Sequence, residues 1–237
     1  MDSQVLSEKI KEYSSLLPLI EEQDALFVFD LDNTLIRPVN SLGSVEWFFS
    51  YIERALAKAE DREKCLRRCV SLWKALQSLI PVQLLEKEAA QIIKTLQKKA
   101  PVIALTAREP DFKHVTQQQL CSVDIDFKIS APAPGEFHLS KIPIAEYCDG
   151  VLFAGGYHKG EVLLSFLEQI EYKPKRIVFS DDNSYEVKRV AIVEKEGIDY
   201  IGIRYAAADH YIQSFDADEC DEMLKSLMQT LHSSKSS

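Results

Sequence analysis

Apolar positions along this chain recur at two periods, and the alternation between them predicts its elements. Steps of four and three link Leu6, Ile10, Tyr13, Leu17 and Ile20, which predicts an amphipathic helix over 4–20 packed on a core. The opposite face mixes charge signs, which argues against a membrane or partner helix. Leu26-Phe27-Val28-Phe29 is a short unbroken apolar run, the mark of a buried strand. Helical spacing returns with Val45, Phe48, Ile52 and Leu56, and again with Leu66, Val70, Trp73, Leu76 and Ile80. Two helices are therefore predicted within 44–80, with a break near Glu60-Asp61. A helix over 84–99 leads through Ala100-Pro101 into a strand at 102–105.

Farther along, 111–121 reads as a helix, 125–129 as a short strand and the Pro-rich 131–135 as a loop. The run at 151–154 is closed by Gly155-Gly156 and opens through Tyr157-His158-Lys159-Gly160 into a helix over 160–171. Ile177-Val178-Phe179 is a strand that ends in Ser180-Asp181-Asp182-Asn183. A helix over 184–196 stops at Gly197, a strand follows at 200–204, and a last helix covers 216–231. Strands alternating with helices predict an α/β fold with a mostly parallel sheet.

Composition narrows the class. With 237 residues, 46% of them hydrophobic and 27% charged, the chain can bury one core and carry a modest insert; eight glycines argue against repeats. A net charge of −9 and the lack of any Lys/Arg-rich run argue against nucleic acid as a partner, so phosphate chemistry would need local cations. Cys65, Cys69, Cys121, Cys148 and Cys220 are odd in number and lack paired CxxC spacing, which reads as reduced thiols. Cys65 and Cys69 share a helix face but have no His or Cys cluster nearby to complete a zinc site. No basic segment precedes an apolar one at the start, and no stretch approaches the roughly 18 apolar residues of a membrane span. A cytoplasmic protein without a membrane partner is expected, although a removed leader would leave no trace; oligomeric state is not legible.

Three predicted strands end in polar clusters: Asp30 and Asp32 after the first, Thr106 after the second, Asp181 and Asp182 after a later one. In a parallel sheet those ends share one rim, where ligands bind. Lys159, at the mouth of a helix that follows two glycines, is a fourth candidate for that rim. Each has a plainer reading on its own: acidic residues after strands form turns, a threonine caps a helix, and a lysine is solvated. Their joint order favours a site.

Those parts, Phe29-Asp30-Leu31-Asp32-Asn33-Thr34-Leu35, then Leu105-Thr106-Ala107-Arg108, then Lys159, then Ser180-Asp181-Asp182-Asn183, resemble the four motifs of the haloacid dehalogenase (HAD) superfamily over residues 26–204. Within it the chain looks like a little-characterised bacterial branch. The resemblance implies a Rossmann-like three-layer sandwich with a small helical cap inserted after the first strand. The expected division is an N-terminal helix within 1–24, a core of 25–43 and 81–232, a cap of 44–80 and a frayed tail of 233–237. It also implies a Mg2+-dependent phosphohydrolase acting on a small phosphomonoester. Asp30 would be the nucleophile that forms an aspartyl-phosphate, and Asp32 the general acid and then the base. The magnesium would be held by Asp30, the Asp32 backbone carbonyl and Asp181, with Asp182 behind the metal or against Lys159. Thr106, the backbone at Ala107, and Lys159 would bind the phosphoryl group.

Arg37, Arg108 and His158 sit beside these motifs as candidate substrate contacts; if the cap covers the site, Trp47, Arg54, Arg67, Arg68 and Trp73 are candidates for selecting the leaving group, although the apolar spacing favours Trp73 as core. A commoner form of the fourth motif has a further acid four residues beyond the first; here that position is Tyr185, and the adjacent Asp181-Asp182 pair would serve instead. Asp32 argues against a dehalogenase, which has no alcohol to protonate. A phosphomutase or phosphotransferase, or a non-catalytic binding protein of the same fold, are the alternatives.

Overall fold

The computed structural model describes residues 8–10, 12–16 and 24–233. In chain order it contains β1 (Glu8–Ile10), β2 (Ala25–Phe29), β3 (Ile36–Pro38), α1 (Val45–Leu56), α2 (Arg62–Leu79), β4 (Val82–Leu84), α3 (Ala89–Gln97), β5 (Val102–Thr106) and α4 (Lys113–Ser122). There follow β6 (Glu136–His138), β7 (Glu146–Cys148), β8 (Val151–Phe153), α5 (Lys159–Gln169), β9 (Arg176–Asp181), α6 (Ser184–Val190), β10 (Asp199–Tyr205), α7 (Asp209–Gln213) and α8 (Ala217–Ser233).

One eight-stranded sheet has the order β1-β10-β9-β2-β5-β8-β7-β6, and β3 pairs with β4 in a separate ribbon. Pairing in the sheet is parallel from β1 through to β8 and antiparallel only for β8 with β7 and β7 with β6. All five residues of β2 and of β5 are buried, as their unbroken apolar runs require of strands covered on both faces. On one face Leu26, Val28, Ile103 and Leu105 pack with Val162, Leu163 and Phe166 of α5 and with Val187 and Val190 of α6. From β2 the strands build outward through β5 to β8, then the chain crosses to β9 and β10 on the other side. The reversal of order falls between β2 and β9, and such switch points open a crevice beyond the carboxyl ends of the strands.

The chain divides into two compact units, Met1–Ile36 with Leu84–Ala208, and Arg37–Gln83 with Asp209–Ser237. The first unit is the Rossmann-like sheet with its helices. In the second, Trp47, Leu76, Ile80, Leu42 and Cys220 form a buried cluster, against which Phe48, Trp73, Met223, Leu224 and Leu227 also pack. Arg54 of α1 holds Asp221 of α8 through two hydrogen bonds of 2.6 and 3.1 Å.

Several elements differ from the periodicity. Within the span predicted as a helix over 4–20, residues 8–10 are a strand, because the open edge of β10 offers backbone partners to Glu8, Lys9 and Ile10. Residues 13–16 form a short 3-10 turn that still buries Tyr13 and Leu16; the remainder of 4–20 lies outside the described residues. The strand expected at 125–129 is a 3-10 turn over Phe127–Ile129, with the Asp126 carboxylate accepting from the Lys128 N–H at 2.9 Å. Helix α3 starts at Ala89, five residues later than expected, because Val82–Leu84 pairs with β3. Residues 209–232, assigned to the core from sequence, fall in the second unit, where Cys220 is fully buried. The second unit also begins at Arg37 and reaches Gln83, wider than the 44–80 expected for the insert. Of the tail, 234–237 lie outside the described residues.

Candidate active site

Asp30 is the first residue beyond β2, and its N–H donates to the Ser180 carbonyl at 2.9 Å, which ties the end of β2 to β9. After Asp32 the chain turns sharply: the N–H groups of Thr34, Leu35 and Ile36 all donate to the Leu31 carbonyl. Asn33 sits in this turn at φ 60°, a left-handed conformation that asparagine tolerates better than most residues. The turn carries the Thr34 hydroxyl across to β9, where it accepts from the Asp182 N–H at 2.9 Å. Motifs separated by 148 positions are thereby bolted together.

Lys159 opens α5, capped by His158, whose ring accepts weakly from the Glu161 N–H at 3.4 Å. Gly160 lets this helix end sit close against 189–192: a Cβ there would come within 2.7 Å of Ile192 Cγ2 and 2.8 Å of the Arg189 carbonyl. So seated, Lys159 Nζ donates to Asp30 Oδ1 at 2.6 Å and to Asp181 Oδ2 at 2.7 Å, all three side chains being buried. The other Asp181 oxygen accepts from the Asn183 N–H at 2.7 Å.

Asp30, Asp181 and Asp182 each offer one carboxylate oxygen within 4.8 Å of the others. Burial pushes the Asp30 carboxyl up to about 7, against the pull of Lys159 and with the repulsion of Asp181. Burial likewise raises Asp182 to about 8, assisted by the nearby Asp30 and Asp181. For Lys159 burial opposes the charge, yet Asp181 and Asp30 outweigh it and hold the ammonium well above its ordinary range. One ammonium faces three carboxyl groups, and the upward shifts of Asp30 and Asp182 mean that a further cation is needed for the group to ionise fully at neutral pH. Such a donor set fits a small hard cation such as Mg2+, for which one carboxylate oxygen from each of Asp30, Asp181 and Asp182 is in place.

Asp32 points its carboxylate elsewhere. Arg108 grips it through Nε to Oδ2 and Nη2 to Oδ1, both at 2.8 Å, and the Arg108 side chain is 2% exposed. Thr106 is buried at the end of β5, its hydroxyl accepting from the Arg108 N–H at 3.2 Å, while Ala107 is exposed. Asp30, Asp32, Thr106, Ala107, Arg108, Lys159, Asp181 and Asp182 all belong to the first unit. Arg37 belongs to the second, with its guanidinium carbon 3.3 Å from the centre of the Tyr211 ring. In that unit Trp47 is buried, Trp73 stacks on Phe48 with centroids 4.1 Å apart, and Arg67 pairs with Glu63. Tyr185 is exposed beside Arg189.

Sequence reasoning passed over four contributors: Ser180 through its carbonyl, Arg204, which lies opposite Asp181 in the β10–β9 register and whose charge bears on Asp182, and Thr116 and Gln119, which hold Arg108 from α4. The last two left a signal: they are polar, three apart on one helix, and follow Arg108 at eight and eleven positions.

The resemblance to the haloacid dehalogenase superfamily holds on this geometry, since all four motifs meet at one end of a Rossmann-like sheet. Among solved structures, the chain is similar to a haloacid dehalogenase-like family hydrolase of Streptococcus pneumoniae, with TM-score 0.48 and 16% identity, covering 75% of this chain and 82% of that one. It is also similar to a HAD-superfamily hydrolase, subfamily IA, variant 1, of Geobacter sulfurreducens, with TM-score 0.46 and 16% identity, covering 76% and 90%. Among curated proteins, one of Chlamydia pneumoniae is 28% identical over 196 residues, covering 81% of this chain and 72% of the relative. One of Chlamydia muridarum is 24% identical over 202 residues, covering 84% and 76%. Both are named "Putative outer membrane protein", which overturns the cytoplasmic placement expected from the sequence. Among the described residues no helix is long and apolar enough to cross a membrane. A family model matches residues 6–233, and the chain belongs to that family, described as protein of unknown function (DUF2608).

Proposed function

We propose that the protein is a Mg2+-dependent phosphohydrolase that cleaves a small phosphomonoester through a phosphorylated Asp30. The observation that carries this reading is the group of buried Asp30 and Asp181 with half-buried Asp182, Lys159 being bonded to two of its three members. Asp30, Asp181 and Asp182 would hold the ion together with the Asp32 backbone carbonyl, and the ion would offset the charge of the substrate's phosphoryl oxygens. A carboxylate oxygen of Asp30 attacks phosphorus while the bond to the alcohol oxygen breaks, and Asp32 gives that oxygen its proton. Water then attacks phosphorus, Asp32 takes the proton, and the Asp30–phosphorus bond breaks to release inorganic phosphate. Thr106 and the Ala107 backbone orient the phosphoryl oxygens, and Lys159 neutralises part of their charge.

Turnover of a panel of phosphorylated metabolites with magnesium, measured by phosphate release, tests this. Activity is expected for the wild type and a loss of at least about 1,000-fold for Asp30→Asn, since a nucleophile cannot be replaced by an amide. Silence on every substrate, or equal turnover by Asp30→Asn, overturns the reading.

A further inference from the structure

We propose that Arg108 is a positioning residue for Asp32, an assignment that rests on the phosphohydrolase reading. Arg108 had been a candidate substrate contact, but its guanidinium is already committed. Nε and Nη2 take the two oxygens of Asp32 at 2.8 Å each, while Nη1 donates backward to Thr116 Oγ1 at 2.9 Å and to Gln119 Oε1 at 2.7 Å. Its backbone N–H is fixed too, on the Thr106 hydroxyl. Thr116 and Gln119 are buried on α4, so the arginine is immobilised from behind, and the Asp32 side chain, 20% exposed, is the more accessible end of the pair.

A planar guanidinium bonded side-on fixes the plane of the carboxylate it holds, which a lysine ammonium cannot do. Each carboxylate oxygen retains a second lone pair, so Asp32 can exchange a proton while held. The clamp spans 76 positions of sequence and joins the proton-moving residue of the first motif to the phosphate-binding loop of the second. For a group that transfers a proton in the transition state, loss of aim costs rate rather than binding.

The test compares kcat/KM, which reads the step that breaks the substrate's phosphorus–oxygen bond, for p-nitrophenyl phosphate and for glycerol phosphate. The first leaving group departs without a proton and the second needs one. Arg108→Lys is expected to lose about 30-fold or more on glycerol phosphate and less than about 3-fold on p-nitrophenyl phosphate, a part of the 10²–10⁴-fold that general acid catalysis supplies. Labelling of Asp30 by beryllium fluoride with magnesium, followed by 19F NMR, should match the wild type. Thr116→Val combined with Gln119→Leu keeps both charges and removes only the backing; the same selective loss is expected, and this variant decides the matter if Arg108→Lys does not fold. Equal losses on both substrates, or none on either, overturn the positioning role. Where the wild type hydrolyses another alkyl ester of the panel instead, that ester takes the place of glycerol phosphate; a wild type silent on every phosphate ester overturns the phosphohydrolase reading and the positioning role with it.

Discussion

At the scale of single residues, the site depends on what a side chain would displace as much as on what it contacts. Gly160 has no Cβ, and this absence lets the start of α5 approach 189–192 closely enough to deliver Lys159. Gly160→Ala should therefore lower stability by about 1–3 kcal/mol through overpacking, read as a drop in the midpoint of urea unfolding. It should also weaken turnover, because Lys159 would be pushed off Asp30 and Asp181; an unchanged midpoint would show that the backbone gives way cheaply. The carboxylates, the lysine and Thr106 were legible because their positions follow strand ends, which sequence marks clearly. The grip of Arg108 on Asp32 was not, since the two lie 76 positions apart and the spacing of Thr116 and Gln119 marks only the backing of the arginine, not what its other side holds.

Among elements, α8 shows where local pattern stops informing. Its apolar positions predict a helix, yet nothing in them says that Cys220, Met223, Leu224 and Leu227 pack with α1 and α2 and not on the sheet. The same gap explains residues 8–10, whose partner strand lies some 195 positions away in sequence. Arg54 and Asp221 link α1 to α8, and the hydrogen bond from Arg54 holds the Asp221 carboxyl below its ordinary value. A depressed carboxyl contributes stability above its unfolded value and loses it as pH falls through the folded one. Asp221→Asn should thus be less stable than wild type at pH 7. The difference should close as pH drops past the unfolded value of about 3.9 and on through the lowered one, followed by thermal melting across pH. A gap that persists in acid would assign the effect to packing.

For the whole molecule, the topological reversal between β2 and β9 places the crevice beyond the strand ends; the alternation of strands and helices made the parallel sheet legible, but not the order of its strands. The division into two units was only partly so, because the second is assembled from segments separated by more than a hundred residues, Arg37–Gln83 and Asp209–Ser237. A chain ended after Ala208 loses one wall of the cluster around Trp47 and Leu76. Limited proteolysis with mass mapping should then show new cleavage within 37–83, while the sheet unit keeps its protection; resistance throughout 37–83 would mean that α1 and α2 suffice alone. Lys159 has a consequence of another kind. Lodged between Asp30 and Asp181, it is a built-in counter-ion, so these side chains can close together without a cation from solution. On the function proposed above, metal would load after folding and reversibly, so chelation should leave the chain folded and ready to be recharged.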